Sequence, residues 1–131
     1  MQNRKRAPSS ADRFWMLLAL LLLGAPAHRS PAEIGKAGER VVAEWLRRRG
    51  LEVRVNTRFP GSTDIIATAG NLVHLVQAKS TVYPGAVPEL SPEEIRNIKA
   101  RAAGIGAQAW AAYVWLNGWL RPIGEPAWKR L

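Results

Sequence analysis

Two copies of one helix-start signal frame this chain: Ser30-Pro31-Ala32-Glu33 and Ser91-Pro92-Glu93-Glu94. In each, serine can cap free backbone N–H groups, proline suits the first helical position, and glutamate closes a capping box. The first helix extends to about Arg49, with Ile34, Ala37, Val41, Val42, Trp45 and Leu46 in one apolar stripe. The second carries Ile95, Ile98 and Ala102 and ends near Gly104. Between them, Leu51, Val53 and Val55 alternate with Glu52 and Arg54, which predicts a strand. A loop holding Phe59-Pro60-Gly61-Ser62 leads to a second strand, Thr63 to Ala69. Gly70-Asn71 is a hairpin dipeptide, and Leu72 to Ser80 makes the third strand. Gln108 to Leu116 predicts a fourth strand, and Asn117-Gly118 turns it into a short last one, Trp119 to Ile123. The order is helix, three strands, helix, strand, strand. That is an α/β fold, a mixed central sheet flanked by helices.

At 131 residues the chain has room for one such domain. Cysteine is absent, which excludes disulfide scaffolds, thiol nucleophiles and cysteine-held metal centres. Two histidines are too few for a histidine-built zinc site. Lys and Arg number 19 against 10 acids, a net charge of +9, which favours a polyanionic partner: nucleic acid or an anionic membrane surface. Residues 1–30 form a basic leader and an apolar helix, residues 31–131 the domain proper. Phe14 to Leu23 reads FWMLLALLLL and is followed by Gly24-Ala25-Pro26-Ala27. That pattern is open to three readings: an export signal or anchor over 14–27, a helix buried against a second subunit, or an upstream extension with no role. Ten apolar residues are short for a membrane span, which needs roughly twenty.

The polar residues with chemical content gather on one sheet face. With Gly70-Asn71 as the turn, Asp64 falls opposite Gln77, and Lys79 lies one step further along the same side. Ile66, Val73 and Leu75 share that side, so the polar groups sit at the end of an apolar surface. Their burial costs several kcal/mol unless they satisfy one another or hold a metal. Glu39 lies at the edge of the first helix's apolar stripe, beside Val42 and Leu46, from where it can reach towards the same cluster.

Glu39, the stretch Gly61-Ser62-Thr63-Asp64-Ile65-Ile66-Ala67 and Gln77-Ala78-Lys79 together resemble the PD-(D/E)xK nuclease superfamily, and within it the archaeal-type Holliday junction resolvases. The likeness extends from about Ile34 to Trp115 and includes the α-β-β-β-α-β order of the restriction-endonuclease-like core. One position departs: Gln77 stands where the resolvases usually carry an acid. An amide oxygen can ligate a hard cation but brings no charge.

The resemblance implies a structure-selective DNA endonuclease that hydrolyses phosphodiesters at four-way junctions. It implies Mg²⁺ or Mn²⁺ held by Asp64, Gln77 and Glu39, with Lys79 serving the attacking water. Lys36, Arg47, Arg48, Arg49, Arg54, Arg58, Lys99 and Arg101 are the candidate DNA contacts, with Ser62 for a phosphate. Symmetric incision implies a homodimer, for which Trp110, Trp115 and Trp119 offer apolar surface if they do not fill the core. An intracellular nuclease places the protein in the cytoplasm, export or membrane anchoring being the other option. Other functions compatible with these residues are a restriction-type or general DNA nuclease and a non-catalytic DNA-binding module.

Overall fold

The computed structural model describes residues 7–23, 29–59 and 62–131; of 19–23, 56–59 and 62–63 it describes the backbone only. The elements run α1 (Ser10–Leu23), α2 (Pro31–Arg48), β1 (Glu52–Phe59), β2 (Ser62–Ala69), β3 (Leu72–Val82), α3 (Pro92–Gly104), β4 (Gln108–Leu116) and β5 (Ala127–Arg130). The five strands form one sheet in the order β1-β2-β3-β4-β5. All neighbours are antiparallel except β3 and β4, which are parallel and joined through α3. The expected α/β class and mixed sheet are what the chain adopts.

Local chemistry accounts for the main elements. Both helices begin with the anticipated reciprocal cap: Ser30 accepts from the Glu33 N–H, Ser91 from the Glu94 N–H, and each glutamate reaches back to its serine. At the β2–β3 turn Gly70 has φ +59°, a left-handed conformation that glycine adopts without strain. The turn sets the register from Ala69↔Leu72 to Ile65↔Val76, as the period-two pattern requires.

That register sorts the core into two layers. On one face Ile65, Ala67 and Val76 meet Ala37, Val42 and Leu46 of α2, with Trp110, Ala112, Val114 and Trp128. On the other, Leu75 and Ala109 meet Ile98 and Ala102 of α3. Ala111, Tyr113 and Trp115 pack there with Val87 and Leu90 of the segment before α3. α2 lies close on the sheet because Gly38 has no side chain. A Cβ there would collide with the Ser80 side chain, whose Oγ donates to the Ile34 carbonyl at 3.0 Å.

The C-terminal end corrects the sequence reading. Residues Trp119 to Ile123 form no strand beyond an isolated Leu116↔Pro122 bridge, and the last strand is β5, antiparallel to β4. The Asn117 carboxamide oxygen accepts from the backbone N–H groups of Trp119 and Arg121 and folds the segment into a tight turn. Trp110 and Trp115 are buried and belong to the core, so of the three tryptophans offered to an interface Trp119 alone is exposed.

α1 is a separate feature. Met16 is buried, while Phe14, Trp15 and Leu17 are exposed. Its first turn lies by the segment after β4: Asp12 borders the Gly124 position, and Arg13 sits 6.0 Å from the Tyr83 ring. No helix among the described residues is long and apolar enough to cross a membrane. Residues 24–27 of the would-be cleavage region lie outside the described residues.

Candidate active site

The β2–β3 hairpin is zipped from its turn only part of the way. Its ladder reaches Ile65↔Val76, one step short of Asp64 and Gln77. Beyond that, β2 stays with β1, through Asn56↔Asp64 and Phe59↔Ser62, while β3 stays with β4 as far as Val82↔Leu116. The two middle strands therefore part where the polar residues stand.

Asp64 is a fully buried charged side chain, 2% exposed. A buried carboxylate requires a positive partner, and here it is Arg101 of α3. The guanidinium grips it with two bonds, Nε to Oδ2 at 2.6 Å and Nη2 to Oδ1 at 2.8 Å. Two helical turns towards the N-terminus of α3, Glu94 serves the other two residues. Its Oε2 lies 2.7 Å from Lys79 Nζ and accepts from Gln77 Nε2 at 3.4 Å, while Oε1 completes the cap with the Ser91 N–H. The hydrogen bond from Lys79 is the main reason the Glu94 carboxyl sits below its ordinary pKa. Asp64, Gln77 and Lys79 thus share a face, as their spacing predicts, and α3 supplies the counter-charges.

A third polar pair lies on the same face. Tyr113, level with Lys79 in the β3–β4 register, donates its hydroxyl to Glu89 at 2.9 Å. Burial first, and the neighbouring carboxylate second, push the phenol's pKa far above its usual value. On the α2 side His74 Nδ1 accepts from Trp110 Nε1 at 3.0 Å, and burial lowers the imidazole's pKa.

The sequence missed Glu94 and the pairing of Arg101. A signal was available: Glu94, Ile98 and Arg101 recur at helical spacing, so the two charges flank the residue that buries α3. Glu39 is half-buried on α2, which covers the opposite face, so it approaches the strands from the other side. No group of three His, Cys, Asp or Glu placed to hold a metal ion occurs among the described residues.

The candidate DNA contacts are dispersed. Lys36, Arg47, Arg48, Arg54 and Lys99 are exposed. Arg48 pairs with Glu44 at 3.8 Å. Arg49 lies 3.5 Å over the Trp45 ring and 3.4 Å from Glu125. Gly38 marks the level of Ser80 on α2, and Arg47 lies about 14 Å further along that helix by its rise per residue. The Arg47–Arg49 run therefore sits towards the other end of the sheet from Lys79. Arg101 is committed to Asp64. The side chains of Arg58 and Ser62 lie outside the described residues.

Comparison with solved structures places this architecture. Hjc of Archaeoglobus fulgidus, a Holliday junction resolvase from an archaeal hyperthermophile, superposes with a TM-score of 0.53 at 26% identity. The match covers 62% of this chain and 64% of Hjc, so the chain spans somewhat less than two thirds of that protein's length. The resemblance carried by Glu39, Asp64 and Gln77-Ala78-Lys79 is thus matched by a shared fold. No protein-family model matches the chain. A UPF0102 protein of Shewanella woodyi is 34% identical over 80 residues, which are 57% of this chain and 68% of the relative. With that identity over that much of the relative, the chain belongs to the UPF0102 family.

Proposed function

We propose that the protein is a divalent-cation-dependent DNA endonuclease that acts on branched duplexes, four-way junctions among them. One observation carries the reading: Asp64, Gln77 and Lys79 converge where β2 and β3 separate, within the fold of Hjc.

The donor chemistry suits a hard cation. Asp64 brings a carboxylate and Gln77 an amide oxygen; Glu39, on α2 over the other face, can add the charge that Gln77 lacks only through the gap where β2 and β3 part. Arg101 supplies the positive charge that buried Asp64 needs, and in doing so it occupies both carboxylate oxygens. For a cation to use the Asp64 oxygens, the guanidinium must release them. When bound, Mg²⁺ or Mn²⁺ supplies a polarised phosphoryl oxygen and a more acidic water.

The remaining work falls to the chain's own residues. Lys79, an ammonium held by Glu94, offers donors to the attacking water and offsets negative charge as the phosphorane forms. Glu94 is a positioning residue: it fixes the direction of Lys79 and the Gln77 amide from the rigid first turn of α3. The net charge of +9 suits a phosphate backbone, so binding weakens steeply with salt. Two incisions related by symmetry call for two copies of the chain at one junction.

A second reading has its own support. Gln77 removes one acid, and both oxygens of Asp64 are engaged by Arg101, as in a DNA-binding module that does not cut. One experiment separates the two. The purified protein and its Asp64→Asn variant are incubated with a labelled four-way junction and a linear duplex in Mg²⁺. Junction nicking reduced at least a hundredfold in the variant establishes the nuclease, a size in line with loss of a main electrostatic group. Equal cutting of both substrates moves the assignment to a general nuclease. Tight, salt-sensitive binding with no Asp64-dependent cleavage establishes the binding module.

A further inference from the structure

A recess on the outer flank of α2 gathers positive charge that the candidate active site does not use. It is a cavity of about 300 Å³ lined in part by Arg29, Arg40, Arg121, Glu44, Ala37 and Trp119. Arg29 meets Glu33 at 3.4 Å through Nη1, but its Nε is buried and has no hydrogen-bond partner. The guanidinium groups of Arg40 and Arg121 make no ion pair among the described residues. Glu44, the one acid of the lining, lies 3.8 Å from Arg48, which draws on its charge. Three guanidinium groups around one concavity repel one another unless an anion joins them.

The shape of the donors selects the anion. Guanidinium forks match the oxygens of a phosphate, and arginine loses less freedom than lysine in making such bonds. Trp119 forms part of the wall and is 36% exposed, an indole on which an unpaired base can stack. Position adds to the case. Ala37 lines the recess, and the next residue, Gly38, abuts Ser80, the neighbour of Lys79. The Trp119–Arg121 segment follows the end of β4, which runs beside the end of β3. Recess and candidate active site therefore occupy the same end of the sheet, on its two opposite faces.

We propose that this recess binds a backbone phosphate of a nucleic-acid strand, with an unpaired base of that strand stacked on Trp119. The proposal rests on the nucleic-acid reading above and names a contact outside the residues that cut.

The test is binding by the full chain in EDTA, where no cleavage interferes. Fluorescence anisotropy over a salt series compares a blunt duplex with the same duplex bearing a short single-stranded flap. An Arg40→Gln/Arg121→Gln double variant should bind the flapped duplex at least tenfold more weakly and lower the log–log salt slope by about 0.7, the contribution of one single-strand phosphate contact. Trp119→Ala should weaken the flapped duplex about fivefold or more while affecting the blunt duplex less, the low end of a single base-stacking contact. Wild-type affinity and salt slope in the double variant overturn the site. So does titration calorimetry in which inorganic phosphate binds the wild type but not the double variant while both hold DNA equally, because the recess then takes a free anion. Failure of the nuclease reading appears elsewhere, as absence of Asp64-dependent cleavage, and leaves this binding result intact.

Discussion

The N-termini of α2 and α3 are built from the same four-residue formula and fold alike. Ser30 has φ −72° and ψ 155°, Ser91 has φ −68° and ψ 158°, and both capping boxes are closed. Their glutamates then diverge. The spare oxygen of Glu33 meets Arg29 in solvent at 3.4 Å, whereas that of Glu94 meets Lys79 at 2.7 Å against the sheet. The local motif decides where each helix starts. What the second oxygen does is decided by the strand beneath: α3 lies over the face that carries Gln77 and Lys79, and α2 over the alternate residues, Val76 and Ala78. The polar cluster of Asp64, Gln77 and Lys79 is on the α3 side because the hairpin register put it there.

The sharpest way to break that comparison is to strip α3 of its counter-charge. Arg101→Leu leaves Asp64 buried without a partner, for which about 3 kcal/mol of lost stability is expected in urea unfolding. Adding Asp64→Asn to it should recover part of the loss, and Mg²⁺ should raise the Tm of Arg101→Leu more than that of the wild type. A cost under about 0.5 kcal/mol, the scale of an exposed pair, would mean that the two-bond grip contributes nothing.

The α2 side answers to shape instead of charge. Gly38→Ala places a methyl against the Ser80 side chain, which is fixed by its bond to the Ile34 carbonyl, and should cost about 1–3 kcal/mol through overpacking. Gly35→Ala, one turn earlier and with open space around the new methyl, should instead stabilise by up to ~1 kcal/mol through helix propensity. Urea midpoints of the two variants moving the same way would show that Gly38 is not the point of closest approach.

Much of this was legible in residue order. Period-two alternation and Gly70-Asn71 give the hairpin, its register and the shared face of Asp64, Gln77 and Lys79. Two things were not. Asn117-Gly118 carries a hairpin signal, yet the Asn117 side chain closes a turn that brings in no strand, and the true edge strand is the short Ala127–Arg130 after Pro126. The partners of the site residues lie further off: Arg101 stands 37 positions from Asp64. Pairing at that range depends on which face each helix covers, and no local pattern reports it.

The two capping glutamates offer the finest test, because only their surroundings differ. Both carboxyls sit below their ordinary value of 4.5, Glu94 chiefly through the hydrogen bond from Lys79 and Glu33 chiefly through its bonds to Ser30. A carboxyl whose folded pKa is depressed adds stability that is complete above pH 4.5 and fades as pH falls through the lowered folded value. Thermal melts of the wild type should therefore fall below pH 4.5, and Glu94→Gln should flatten that fall. At pH 7, Glu94→Gln should cost about 1–2 kcal/mol, the scale of one partly exposed charge-assisted bond. It should also slow junction cleavage, because Lys79 is no longer held. Glu33→Gln should flatten the acid limb in the same sense and leave the cleavage rate where it was. If both variants slow cleavage alike, the capping boxes act only by holding their helices, and the second oxygen of Glu94 has no separate part in the chemistry.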